Sequence, residues 1–173
     1  LDVSGLPAPV LEDVRTFVVD QQNHDGSAFY DISDNGTLLY APAGNQGIVR
    51  VALLEMATGT LTALSDPGDY NMPFFSPDGR WLGFTQDNRL RKISLDGGSP
   101  VDLCPTEWGG GTWKRDGNII FTRSYAGGLD MVPANGGAPQ KLTQPDINKG
   151  ELGHWWPHLL PDEEWVLYTS FST

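Results

Sequence analysis

The sequence predicts an all-β chain, a β-propeller of four-stranded antiparallel blades with about three whole blades plus one split between the N- and C-terminal ends. Two repeating markers and a turn-rich composition predict it. The first marker is an Asp-centred turn before an apolar run: Ser33-Asp34-Asn35-Gly36 before Thr37–Tyr40, Ser76-Pro77-Asp78-Gly79 before Trp81–Phe84, and Lys114-Arg115-Asp116-Gly117 before Ile119–Phe121. A fourth copy, Leu160-Pro161-Asp162-Glu163 before Trp165–Tyr168, has Glu where the others have Gly. The second marker is a glycine turn leading to a leucine, at Leu64, Leu103 and Leu142, spaced 39 residues apart at each step. With 21 Gly and 13 Pro among 173 residues, the chain favours many turns and short strands over long helices.

Each unit follows from its turns. Asp-Gly closes a tight hairpin because Gly accepts the positive φ that bulky residues resist, and Pro77 presets the φ of the turn's start. The run after the turn is apolar on both faces and must be covered on both sides. A third strand of mixed pattern follows (48–54, 90–95, 129–132), and the glycine turn then leads into an outer strand ending at Leu64, Leu103 or Leu142. Four strands in about 40 residues describe a propeller blade. The blades fall at 27–65, 66–104 and 105–143, with 144–173 supplying two strands that residues 1–12 would complete. Val10, Leu11, Val14, Phe17 and Val18 stand at helical spacing, but this β-branched stretch reads better as a strand followed by a loop.

Charge and cysteine content narrow the partners. Eleven basic residues against 22 acidic ones give a net charge of −11, which excludes a bare phosphate backbone as partner. Cys104 is the one cysteine, so no internal disulfide forms, and no apolar run reaches the roughly 18 residues that span a bilayer. The chain begins at Leu1 rather than Met, which leaves room for a signal, anchor or upstream domain ahead of it.

With the markers placed, the chain resembles the TolB-type, WD40-like propeller repeat of bacteria, a unit of Ser-Pro-Asp-Gly, apolar strand, Gly-Gly-x-Pro and Leu-Thr. Residues 74–84 and 136–143 carry that likeness. More narrowly, "LRKISLDGGSPVDLC", "GGGTWKRDGNIIFT" and "GELGHWWPHLLPDEEWVLY" resemble propellers attached to bacterial serine/threonine protein kinases. The resemblance implies a periplasmic or extracytoplasmic setting. No Gly-rich nucleotide loop or His-Arg-Asp catalytic loop is present, so kinase activity would lie outside these residues.

Candidate site residues come from the segments between blades. Trp108, Trp113, Glu151, His154, Trp156, Asp66 and Asp69 are the candidates for partner binding. The tryptophans have an alternative use as packing between blades. His154 and His158 lie about 13 Å apart on an extended strand, too far to share one ion. Asp146 and Asn148, in "DINKGE", have the opening spacing of a calcium loop but lack its Glu at the twelfth position, so an ordinary connection is the preferred reading. Asn35-Gly36-Thr37 fits a glycosylation sequon that coincides with a hairpin turn. No catalytic residue, metal or cofactor is assigned.

The expected function is a non-catalytic binding, scaffold or sensor module for a protein or peptide, engaged through the loop face or channel mouth. Self-association as a dimer would close the open ring. The alternatives are an accessory propeller of a hydrolase, a channel-site lyase, or a fragment that assembles through open blade edges.

Overall fold

The computed structural model describes residues 16–20, 23–28, 30–32, 37–40, 51–55, 58–64, 70–107 and 109–172. They form sixteen strands and one 3-10 turn. Strands β1 (Thr16–Asp20) and β2 (Asn23–Ala28) make a two-stranded hairpin. Three antiparallel meanders of four strands follow: β3 (Tyr30–Ile32), β4 (Thr37–Tyr40), β5 (Ala52–Glu55), β6 (Thr60–Ala63); β7 (Asn71–Phe75), β8 (Trp81–Gln86), β9 (Arg89–Ser94), β10 (Val101–Pro105); and β11 (Gly111–Trp113), β12 (Asn118–Thr122), β13 (Leu129–Pro133), β14 (Gln140–Lys141). After the 3-10 turn Ile147–Lys149, strands β15 (Glu151–Leu159) and β16 (Val166–Ser172) form a final pair. The first strands touch in sequence, β3 on β7, β7 on β11 and β11 on β15, so they are the inner strands of a propeller arc. Phe17 and Val18 belong to β1, not to a helix, whereas residues 1–15, including the proposed completing strand 1–12, lie outside the described residues.

The core is laid between sheets. Phe75, Leu82, Phe84 and Ile93 pack with Val51 and Tyr70 on one side of the β7–β10 sheet. Phe74, Leu90, Leu103 and Cys104 pack on its other side with Trp113, Ile119, Phe121 and Val132. Neighbours in sequence such as Phe74 and Phe75 thus serve opposite faces, as the period of two requires. Burial pushes the Cys104 thiol up to about 11, so it behaves as a small apolar side chain.

Turn chemistry explains the first marker. At Gly79 (φ 64°) the Ser76 hydroxyl donates to Asp78 Oδ1 (2.6 Å), which also accepts the Arg80 amide (3.1 Å). Gly117 (φ 86°) sits in the same way beside Asp116, whose Oδ1 accepts the Asn118 amide. Glu163 keeps the positive φ (57°) without being glycine. Its carboxylate accepts the Arg115 backbone N–H (3.0 and 3.2 Å), and Arg115 Nη1 donates to Pro161 O. A strained turn in the last sheet is therefore clamped to the corresponding turn of the sheet before it.

A second irregularity recurs in register. Counting back from the turns, Met72 (φ 50°) and Trp156 (φ 54°) on their inner strands and Gly110 (φ 74°) just before β11 occupy the same place. In β7 and β15 this is where the ladder shifts register, and Pro73 or Pro157 follows on the unpaired strand edge, where no N–H is needed.

The last described strand is β16. Leu167 is 65% exposed, whereas Ile120, at the equivalent place in β12, is 3% exposed. Tyr168 and Phe171 are also exposed, while Phe84 and Phe121, equivalent to Tyr168, are fully buried. Among the described residues, β15 and β16 have neither the outer two strands nor a following sheet to cover them.

The Glu163 clamp makes a direct prediction. Glu163→Ala keeps a side chain at positive φ but loses the carboxylate, whereas Glu163→Gly relieves the backbone. Urea unfolding is expected to place the Ala variant below the Gly variant by about 1 kcal/mol, the reverse of their usual order.

Candidate functional site

In an antiparallel meander, hairpin turns alternate between the two ends of the sheet. The Asp-Gly and Gly-Gly turns therefore share one end. The β8–β9 and β12–β13 loops share the other with the connections from each outer strand to the next inner strand. At this second end lies a cavity of about 730 Å³, lined among others by Asn88, Glu107, Arg123, Asp130, Lys141 and Glu151. Its walls come from the last three sheets and the 3-10 turn. Gly128 stands where a Cβ would meet the Thr143 carbonyl oxygen at 1.9 Å, so the β12–β13 loop is pressed against the next connection.

Glu151, on the cavity wall, and His154, behind it, both singled out from sequence, are brought together. Residues three apart on a regular strand point to opposite faces, but β15 shifts register between Glu151 and Gly153 and the two side chains meet. Glu151 Oε2 accepts the Asp146 N–H (2.6 Å) and lies 3.3 Å from His154 Nε2. His154 Nδ1 lies 2.8 Å from Thr143 Oγ1, which accepts the Leu129 N–H at 2.8 Å. One arrangement of donors closes the whole chain: Nε2–H donates to Glu151, and the Thr143 hydroxyl donates to Nδ1. At 3% exposure, His154 ties β13, the β14–β15 connection and β15 together. The Asp146 amide, then the bond to His154, holds the Glu151 carboxyl below its ordinary value of 4.5.

The other candidates fall elsewhere. Trp113 is 8% exposed and packs edge-on to Phe74 (6.3 Å) in the core, the packing use weighed for the tryptophans. Trp156 is half-buried and edge-on to Trp155 (5.6 Å), which in turn stacks on Phe171 (4.7 Å). Trp108, Asp66 and Asp69 lie outside the described residues. Asp146 caps the 3-10 turn through the Asn148 amide and pairs with Lys149 (3.1 Å), and no group of three or more His, Cys, Asp or Glu side chains suited to a metal occurs among the described residues.

Sequence reading missed Arg123, Asp130, Lys141 and Thr143. Thr143 carried a signal, because it is the threonine of the Leu-Thr marker. The other three gave none, since they are ordinary charged residues at strand ends that only the fold collects.

No family model matches the chain, and no curated protein matches it. Solved structures do. A TolB-type protein of Agrobacterium tumefaciens superposes with a TM-score of 0.67 at 21% identity, over 83% of this chain and 53% of that one. TolB of Acinetobacter baumannii gives 0.63 at 16%, over 83% and 37%, and a gluconolactonase of Xanthomonas campestris gives 0.65 at 14%, over 84% and 56%. The chain thus spans about half or less of the length of these proteins. At such identities the likeness shows the fold, an all-β propeller.

The depressed Glu151 carboxyl fixes a pH dependence. Because its folded value lies below the unfolded one, its stabilisation is complete above about 4.5 and is lost as the pH falls through the folded value. The melting temperature of the native chain is expected to exceed that of Glu151→Gln at neutral pH, with the gap closing in acid. A gap that stays constant would show that the carboxylate's charge is not used.

Proposed function

We propose that the chain is a non-catalytic propeller module that binds a protein or peptide on the face carrying the cavity. The carrying observation is the cavity itself, walled by segments of three sheets and the connections between them. Its size suits the side chains of an extended peptide, and its wall offers paired hydrogen-bonding groups of both charges. The buried His154 network supports the same reading, because it fixes the wall and leaves His154 3% exposed. The propeller group attached to bacterial kinases is the proposed source of such a module, in an extracytoplasmic setting.

A photo-crosslinking residue at Gln144, on the cavity wall, is expected to trap a partner that the same residue at Asp96, beside the glycine turns of the opposite end, does not. Equal trapping from both positions would defeat the assignment.

A second reading concerns β16, the last strand of the described arc. Leu167 supports self-association, since its equivalent in the preceding sheet is covered by the next one. The proposed occupant is a second copy, whose own end strands complete the final pair. β16 carries no charge in seven residues, so nothing on it opposes edge pairing. Light scattering is expected to give twice 18.9 kDa for the native chain and 18.9 kDa for Leu167→Asp. A monomeric native chain would remove this reading.

A further inference from the structure

The cavity contains an uneven set of charges. Asp130 is 6% exposed, its Oδ2 lies 3.4 Å from Arg123 Nη1, and its Oδ1 has no hydrogen-bond partner among the described residues. In the β13–β14 ladder Asp130 stands directly opposite Lys141, so the two side chains share a face without forming an ion pair among the described residues. One buried carboxylate is thus flanked by two cations. Both cations reach solvent: Arg123 is half exposed and Lys141 is exposed. The other acids do not cancel them. Glu151 is held by the Asp146 amide and His154, and Glu107 stands exposed at the rim with no side-chain partner among the described residues.

We propose that Arg123 and Lys141 form a receptor for a single carboxylate of a bound peptide, with Asp130 as the positioning residue that aims the guanidinium. The proposal rests on the loop-face reading above and narrows its ligand. A guanidinium held from behind by one carboxylate keeps further N–H groups free for a planar acceptor, and the ammonium adds a point charge beside it. Polyanions are disfavoured by the −11 charge of the chain and by Glu107. The ligand that fits is a neutral peptide body with one acidic side chain or a free C-terminus, its uncharged part lying toward Glu107.

The test is a titration of the isotope-labelled chain, followed by amide chemical shifts, with a capped six-residue peptide carrying one Glu. Versions with Gln and Lys in its place are the controls. The Glu peptide is expected to move the amides of Gly127, Gly128 and Gln144 and to bind about tenfold more tightly than the Gln peptide. Arg123→Ala and Lys141→Ala are each expected to remove most of that preference, and Glu107→Gln to increase it. Lys141 lies on an exposed strand end, so its variant keeps the test open if Arg123→Ala unfolds. Equal binding of the Glu and Gln peptides, or tighter binding of the Lys peptide at the same amides, would overturn the carboxylate receptor and leave the loop-face reading standing. No shift from any of the three would also overturn the receptor, while the crosslink from Gln144 decides the broader reading by itself.

Discussion

The structure depends on one constraint: a strand that is apolar on both faces must lie between two sheets. Leu82 and Phe84 in β8, and Ile119, Ile120 and Phe121 in β12, are buried because each sheet has a neighbour on either side. Burying such a side chain stabilises the chain by about 1.5–3 kcal/mol. No single blade can gain this alone, since one of its faces would stay wet. Stacking is therefore the source of stability, and the repeat is its sequence form. At β16, which has no following sheet among the described residues, the same pattern leaves Leu167 exposed.

That constraint also places the site. Interiors between sheets are filled by side chains, so most polar groups gather at the two ends of the strands. At one end the hairpin turns are locked by their own hydrogen bonds, as at Ser76 and Asp78. At the other end the connections must cross from the outer strand of one sheet to the inner strand of the next. The ground between them is where the cavity forms. Its shape is held by inter-sheet bonds: the Thr106 hydroxyl donates to Thr122 O and Arg123 O, and the His154 amide donates to Gly127 O. The cavity is a by-product of how meanders are joined, made specific by which residues stand at the strand ends.

The sequence made local rules legible and hid what only tertiary contact decides. The Asp-Gly turns could be read because positive φ selects glycine within four residues of chain. Gly79 and Gly117 show this directly. Glu163 could not be read, because its explanation is a backbone amide 48 residues away. The pairing of Glu151 with His154 was legible only as a cluster. The register shift that turns both to one side belongs to the pairing of β15 with β16, which depends on Ser172 and Phe171. Trp113 carried two readings of equal chemistry, and burial against Phe74 separates them.

The charged wall was hidden for the same reason. Arg123, Asp130 and Lys141 are separated by 7 and 11 residues, with no spacing that betrays a site. Their meeting follows from the β13–β14 register, set in turn by the glycine turn at Gly136 and Gly137, whose positive φ values fix where the outer strand begins. A one-residue slip there would carry Lys141 to the opposite face and leave Asp130 with Arg123 alone. The marker that identifies the repeat is thus also the device that sets the charge balance of the cavity. Repeats that share the fold can differ in the charge of this cavity through the residues at this single pair of strand ends.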